Sequence, residues 1–294
     1  MESVDPLIWT DKPVLRDPVL VCAFKGWNDA GESASAALGF LVESFDAVEI
    51  ARIDPEEFFD FTAVRPTVRL VEGHARTIDW PSTVITAARI PAAERDLVFV
   101  QGVEPSLRWR TFAGSIATAA TELNVRMVLT LGALLADVPH TRPTSISGLA
   151  SDQDLIDRLG LERTTYEGPT GIVGVLHDAC QRASLPSASL WAAVPHYVAA
   201  APNPKAALAL VRRFEGLAGV AVDGSALEEA SEDYQRQVDA AVESDPEVKA
   251  FVEKLEETMD EVEDFTPSPQ DIPSADAIAR DFQRFLRQRG PEND

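Results

Sequence analysis

The chain has 294 residues, 45% of them apolar, and carries a formal charge of −22. That length builds one sizeable α/β unit with an appendage, or two small domains, and no apolar stretch reaches the roughly eighteen residues of a membrane-spanning helix. The acidity argues against a nucleic-acid partner, whose phosphates it would repel.

The first five residues, Met1 to Asp5, are acidic and hold no apolar run, so a secretory signal is not expected and the cytoplasm is the expected compartment. Val19 to Phe24 is continuously apolar, which suits a strand buried on both faces. Ala34, Ala37, Leu38, Leu41 and Val42 then recur at helical spacing. Between strand and helix lies Gly26-Trp27-Asn28-Asp29-Ala30-Gly31. The first amides of a helix lack intrahelical partners, so such a junction favours anions and carbonyl oxygens, and glycine permits close approach. Asn28, Asp29 and Glu32 are equally suited to capping that helix.

Further β-rich runs follow at Val48 to Ile53, Val68 to Val71, Val84 to Ala88, Leu97 to Val100, Met127 to Leu131 and Ser189 to Val194. Phe58, Phe59 and Phe61 enrich one connection in core or interface aromatics. Helices are expected around Gly114 to Leu123 and Gly171 to Ala183, and another starts at Pro204 and ends at Gly216 and Gly219. Strands alternating with helices predict an α/β fold, a three-layer α/β/α sandwich with a mostly parallel sheet, where ligands bind beyond the carboxyl ends of the strands. The expected core spans residues 1 to 220.

Residues 221 to 294 form an acidic C-terminal region, since Asp223 to Asp294 holds 21 acidic and 7 basic side chains. Leu227 to Val242 and Val248 to Val262 place apolar residues at three and four spacing, with Asp245-Pro246 as the turn of a helical hairpin. Pro267, Pro269 and Pro273 mark a linker, and Ser274 to Gln288 is a candidate last helix. The acidic face reads as a solvated surface or as a docking surface for a basic partner.

His74, His140, His177 and His196 have no metal-type spacing, and Cys22 and Cys180 do not supplement them, so neither a metal nor a disulfide framework is expected. His140 and Arg142 share a loop with Asp137 after a strand, a place where an anion-holding group or an interface residue projects. A second glycine-bearing junction, Gly168-Pro169-Thr170-Gly171, lacks the spacing of a dinucleotide site and the lysine of a P-loop, so no cofactor is expected. Gly26, Trp27, Asn28, Asp29, Gly31, His140, Arg142, Gly168, Thr170 and Gly171 are the candidate ligand-binding set, gathered if three strand ends meet in one cleft. No nucleophile elbow or activated cysteine points to a catalytic residue.

The junction at Gly26 to Ser35 resembles the signature of the PAC2 family, named after the second proteasome assembly chaperone. Glu104 to Arg110, Leu131 to Pro143, Tyr166 to Gly171 and Trp191 to Tyr197 fall in that family's order, and the resemblance runs from about residue 15 to about residue 262. It implies a fold similar to nucleoside phosphorylases and related hydrolases, a homo-oligomer with a trimer as first expectation, and a protein-interaction or assembly-chaperone-like role. Members that dock on the proteasome use a C-terminal tripeptide of a hydrophobic residue, tyrosine and any residue, whereas the sequence here ends Gly290-Pro291-Glu292-Asn293-Asp294. The alternative is a small-ligand-binding protein or enzyme on the same fold.

Overall fold

The computed structural model describes residues 6–71, 75–150, 152–163, 166–198 and 200–264. The linker prolines and the candidate helix at Ser274 to Gln288 lie outside them. Eleven strands occur among the described residues: β1 (Leu7–Trp9), β2 (Val19–Lys25), β3 (Val48–Ile53), β4 (Thr67–Val71), β5 (Ala75–Asp79), β6 (Thr83–Ala88), β7 (Leu97–Val103), β8 (Met127–Ala136), β9 (Ile146–Ala150), β10 (Glu162–Arg163) and β11 (Ser187–Pro195). The helices are α1 (Ser33–Ser44), α2 (Trp109–Glu122), α3 (Gln153–Leu159), α4 (Ile172–Arg182), α5 (Pro204–Ala218), α6 (Ser225–Glu243) and α7 (Pro246–Asp264).

Nine strands form one sheet in the order β1-β3-β6-β7-β2-β8-β11-β9-β10, and β4 pairs only with β5. β2 is central and its alternate residues feed two separate cores. Val19, Val21 and Ala23 pack with α1 and α5, while Leu20, Cys22 and Phe24 pack with α2 and α4. Burial on both faces is why the strand reads as an unbroken apolar run.

The sheet is mixed, which corrects the expectation of a mostly parallel one. β7-β2, β2-β8, β8-β11 and β10-β9 are parallel, but β1-β3, β3-β6, β6-β7 and β11-β9 are antiparallel. The reason lies in the connections. A parallel crossover needs about a dozen residues or more, usually including a helix, whereas β6 and β7 are joined by the short segment 89–96. β3 likewise reaches β6 through the β4–β5 excursion without a helix.

The four parallel strands β7, β2, β8 and β11 all end at one edge of the sheet. The chain leaves β2 through α1 on one face towards β3 and leaves β7 through α2 on the other face towards β8, so the two crossovers run in opposite directions from adjacent strands. α5 passes through Gly216 and stops at Ala218, where Gly219 takes the left-handed conformation of a helix end. α6 packs on α5, and α7 returns along α6 after the turn at Asp245. No described helix is long and apolar enough to cross a membrane.

Candidate functional site

The carboxyl end of β2 is closed by the chain's own polar groups. After β2, Gly26 to Asp29 form a tight turn in which the Asp29 amide donates to the Gly26 carbonyl at 3.1 Å. The turn is stitched to β8, since the Ala133 amide donates to the Asn28 carbonyl at 2.8 Å. Asn28 and Asp29 are buried, and the Trp27 ring is left 64% exposed at the tip.

These two neighbours serve opposite faces of the sheet. Asp29 Oδ1 accepts from the amides of Ala34 at 2.7 Å and Ser35 at 3.2 Å, so a carboxylate fills the first turn of α1. Its other oxygen, Oδ2, is buried with no hydrogen-bond partner. Burial pushes the Asp29 carboxyl above its ordinary pKa, against the hydrogen bonds from Ser35 and Ala34 that favour the ionised form. Asn28 Nδ2 instead donates to Glu104 Oε1 at 3.3 Å, and the same oxygen accepts from the Ile172 amide at 2.8 Å, at the start of α4. Both helix N-termini considered as anion seats therefore hold an internal acceptor, and the helix dipole favours a negative group at each.

Two glycines make this possible. Gly31 has φ 58°, a left-handed turn that joins the 3-10 segment Ala30–Glu32 to α1, and its carbonyl accepts from Asn203 at 2.8 Å. A side chain at Gly171 would place Cβ 2.1 Å from Asn28 Nδ2 and 2.8 Å from Glu104 Oε1, so the contact depends on a bare backbone there.

Of the candidate set, Gly26, Asn28 and Gly171 meet around Glu104. Gly168 lies against Tyr166, whose hydroxyl donates to the Pro169 carbonyl, and Thr170 is exposed just before α4. His140 and Arg142 engage other partners. His140 is buried, its amide donates to the Tyr197 hydroxyl at 2.7 Å, and its ring sits 2.7 Å from the same hydroxyl through Nδ1 and 3.1 Å from Asp239 Oδ1 through Nε2. Because the Asp239 carboxylate can only accept, the proton of the neutral ring sits on Nε2, and Nδ1 accepts from the Tyr197 hydroxyl, whose oxygen takes the His140 amide proton. Burial lowers the His140 pKa, although Asp239 pulls the other way. Arg142 forks onto both oxygens of Asp260 at 2.7 and 2.8 Å, and Thr141 bonds Glu256. The Phe251 ring closes this cluster edge-on against His196 and Tyr197. This loop is thus the seat of α6 and α7.

Beside it, Thr141, Lys205, Gln235, Arg236 and Asp239 line an open cleft of about 570 Å³. No group of three His, Cys, Asp or Glu among the described residues is placed to hold a metal ion. Cys22 and Cys180 are buried thiols, with burial pushing Cys180 up to about 12 and Cys22 well above the ordinary thiol range. Glu104 was the member of the site that residue patterns alone did not single out. An acid at the end of an apolar strand, followed by Pro105, was the available signal.

The same sheet edge also carries apolar side chains that no other described residue covers. Trp27, Leu107, Leu134 and Leu135 are all exposed there, Leu135 to 60%.

Comparison with known proteins places this arrangement. The PAC2 family matches over residues 23–242, which is most of the chain. The chain belongs to the PAC2 family. A PAC2 family protein of Streptomyces avermitilis is 48% identical with a TM-score of 0.76, covering 80% of this chain and 100% of that one. A proteasome-assembly chaperone homologue of Mycobacterium tuberculosis is 44% identical with a TM-score of 0.73, covering 80% and 99%. A protein of unknown function from Corynebacterium glutamicum is 25% identical with a TM-score of 0.80, covering 89% and 100%. None of the curated proteins matches. The Glu104, Asn28 and Gly171 cluster and the His140 seat both fall inside the segment matched by the PAC2 family.

Proposed function

We propose that this PAC2 protein works by binding another protein, in an assembly-chaperone-like role, through the carboxyl edge of its sheet. The observation that carries the reading is the set of exposed apolar residues Trp27, Leu107, Leu134 and Leu135 at the edge where α/β proteins usually open a ligand crevice. Asp29 and Glu104 occupy the helix N-termini behind that edge, so an anionic ligand would meet carboxylates in place of free amides. Exposed aromatic and aliphatic anchors fit a partner with matching apolar pockets. The likeness to a proteasome-assembly chaperone homologue makes proteasome subunits the first partners to try. The protein acts in the cytoplasm as a homo-oligomer, with three copies as the first expectation.

A second reading, small-ligand binding, draws on the cleft beside His140, whose Lys205 and Arg236 suit a polar molecule. One experiment separates the two. Purified full-length protein is titrated with individually expressed proteasome subunits, as wild type and as the Trp27→Ser, Leu135→Ser double variant. Binding by the wild type that falls at least tenfold in the variant supports the first reading. No binding to any subunit, with a thermal shift from nucleosides that the double variant retains, overturns it in favour of the second.

A further inference from the structure

Trp27 and Leu134 flank the hydrogen bond from the Ala133 amide to the Asn28 carbonyl, which holds the tip of the first turn beside the end of β8. Leu107 lies close behind Glu104, whose carboxylate bonds Asn28. Leu134 and Leu135 leave β8 on opposite sides, so the apolar patch wraps over the rim of the sheet. All four side chains are between 46% and 64% exposed. Together they leave on the order of 400 Å² of apolar side chain in water, enough to mark an interaction surface. A patch of that size retains a tethered segment readily, because a short linker sets its effective concentration at about millimolar.

The sequence outside the described residues supplies such a segment. Ile278, Phe282, Phe285 and Leu286 recur at helical spacing and form one apolar stripe, with Arg280, Arg284 and Arg287 on the opposite side. Residues 274–289 hold four arginines against two aspartates, in a chain whose formal charge is −22. Such a stretch is drawn to the acidic body that carries it. One acid stands at the rim itself: Asp137, two residues past Leu135, is 84% exposed and paired with His196.

The chain path allows the contact. Near its end, α7 sets Asp260 against Arg142. Arg142 follows Leu134 by eight residues, so the two lie no more than about 30 Å apart. The nine residues 265–273 span up to about 30 Å more.

We propose that residues 274–288 of this chain are the occupant of the carboxyl edge, laying Phe282 and Phe285 over Trp27 and Leu134. The segment keeps the patch out of water and withdraws it from other proteins until one of them displaces it. This control of access rests on the reading of the edge as a protein-binding surface.

The test uses the full chain carrying Leu134→Cys and follows the rate at which a maleimide labels position 134. Adding Phe282→Ser and Phe285→Ser is expected to raise that rate at least about fivefold, since a contact held only by its tether is lost with its anchors. Cys22 and Cys180 are buried and stay unlabelled in both proteins, which reports an intact fold. Mild oxidation of Leu134→Cys with Phe285→Cys is expected to form a disulfide within one chain. Equal labelling with and without the two serines overturns the proposal, and so does a disulfide that joins two chains. No partner enters the test, so its failure leaves binding at the edge standing. A covered edge that takes up no proteasome subunit fails the partner reading alone.

Discussion

Glu104 and Asn28 meet across the parallel pair β2 and β7, with Glu104 Oε1 3.3 Å from Asn28 Nδ2 and 2.8 Å from the amide of Ile172. One carboxylate oxygen thereby ties a strand end, a tight turn and a helix start. Glu104→Ala leaves two donors without this acceptor, one of them on the buried Asn28, and an orphaned donor costs about 1–3 kcal/mol. Calorimetry is expected to show a midpoint lower by roughly 2–10 °C. An unchanged midpoint would remove Glu104 from the structural core of the site.

Gly171→Ala tests the same knot from the other side. The glycine sits at φ −94°, where alanine has no backbone strain, so any loss comes from the new Cβ meeting Asn28 and Glu104. Both obstacles are side-chain ends that swing aside by giving up their mutual hydrogen bond. The expected cost is about 1 kcal/mol in denaturant unfolding, at the low end of that of Glu104→Ala. If the two variants together cost the sum of each alone, the two positions are not coupled.

His177 sets an acid limit on stability. Its ring is buried between the Thr130 and Ser187 hydroxyls, and desolvation lowers its pKa from 6.5 to about 4. The unfolded chain therefore binds the proton first as pH falls. The contribution of the neutral ring is complete above 6.5 and is lost between 6.5 and 4, with a total of about 3 kcal/mol. Melting curves from pH 7 to 4.5 should decline, and His177→Gln should flatten that slope. A slope identical in the variant would contradict this assignment.

His140 governs the seating of the C-terminal helices. His140→Ala removes the link from Tyr197 to Asp239 and opens a gap beneath α6. Losing these bonds costs about 1–3 kcal/mol, or roughly ten- to hundredfold in local opening. Hydrogen exchange should accelerate across Ser225–Asp264 while β2 and β8 keep their protection. Uniform acceleration over the whole protein would mean that α6 and α7 open only with the core. Since burial also lowers the pKa of His140, acidification below 6.5 should weaken the same seat in the wild type.

The legible parts of this fold were those where one residue's neighbours in sequence are also its neighbours in space. α1 and α7 show helical spacing because one face of each is covered, and Asp29 announced itself as a cap because the amides that donate to it lie five and six residues ahead. Strand direction was not legible in the same way. Nothing within Val84 to Ala88 distinguishes a parallel strand from an antiparallel one, and only the missing helix before Leu97 carried that information.

By itself, the sequence determined the alternation of elements, the buried centre at Val19 to Phe24, the turn at Gly26 to Gly31 and kinship with the PAC2 family, because each depends on local periodicity or on ordered short motifs. Tertiary structure alone decided which candidate residues meet. Glu104 reaches Asn28 across 76 positions and His140 reaches Asp239 across 99, and such contacts are fixed by how strands are ordered in the sheet. A carboxylate's partner is a matter of distance in space, and chain order does not encode it locally.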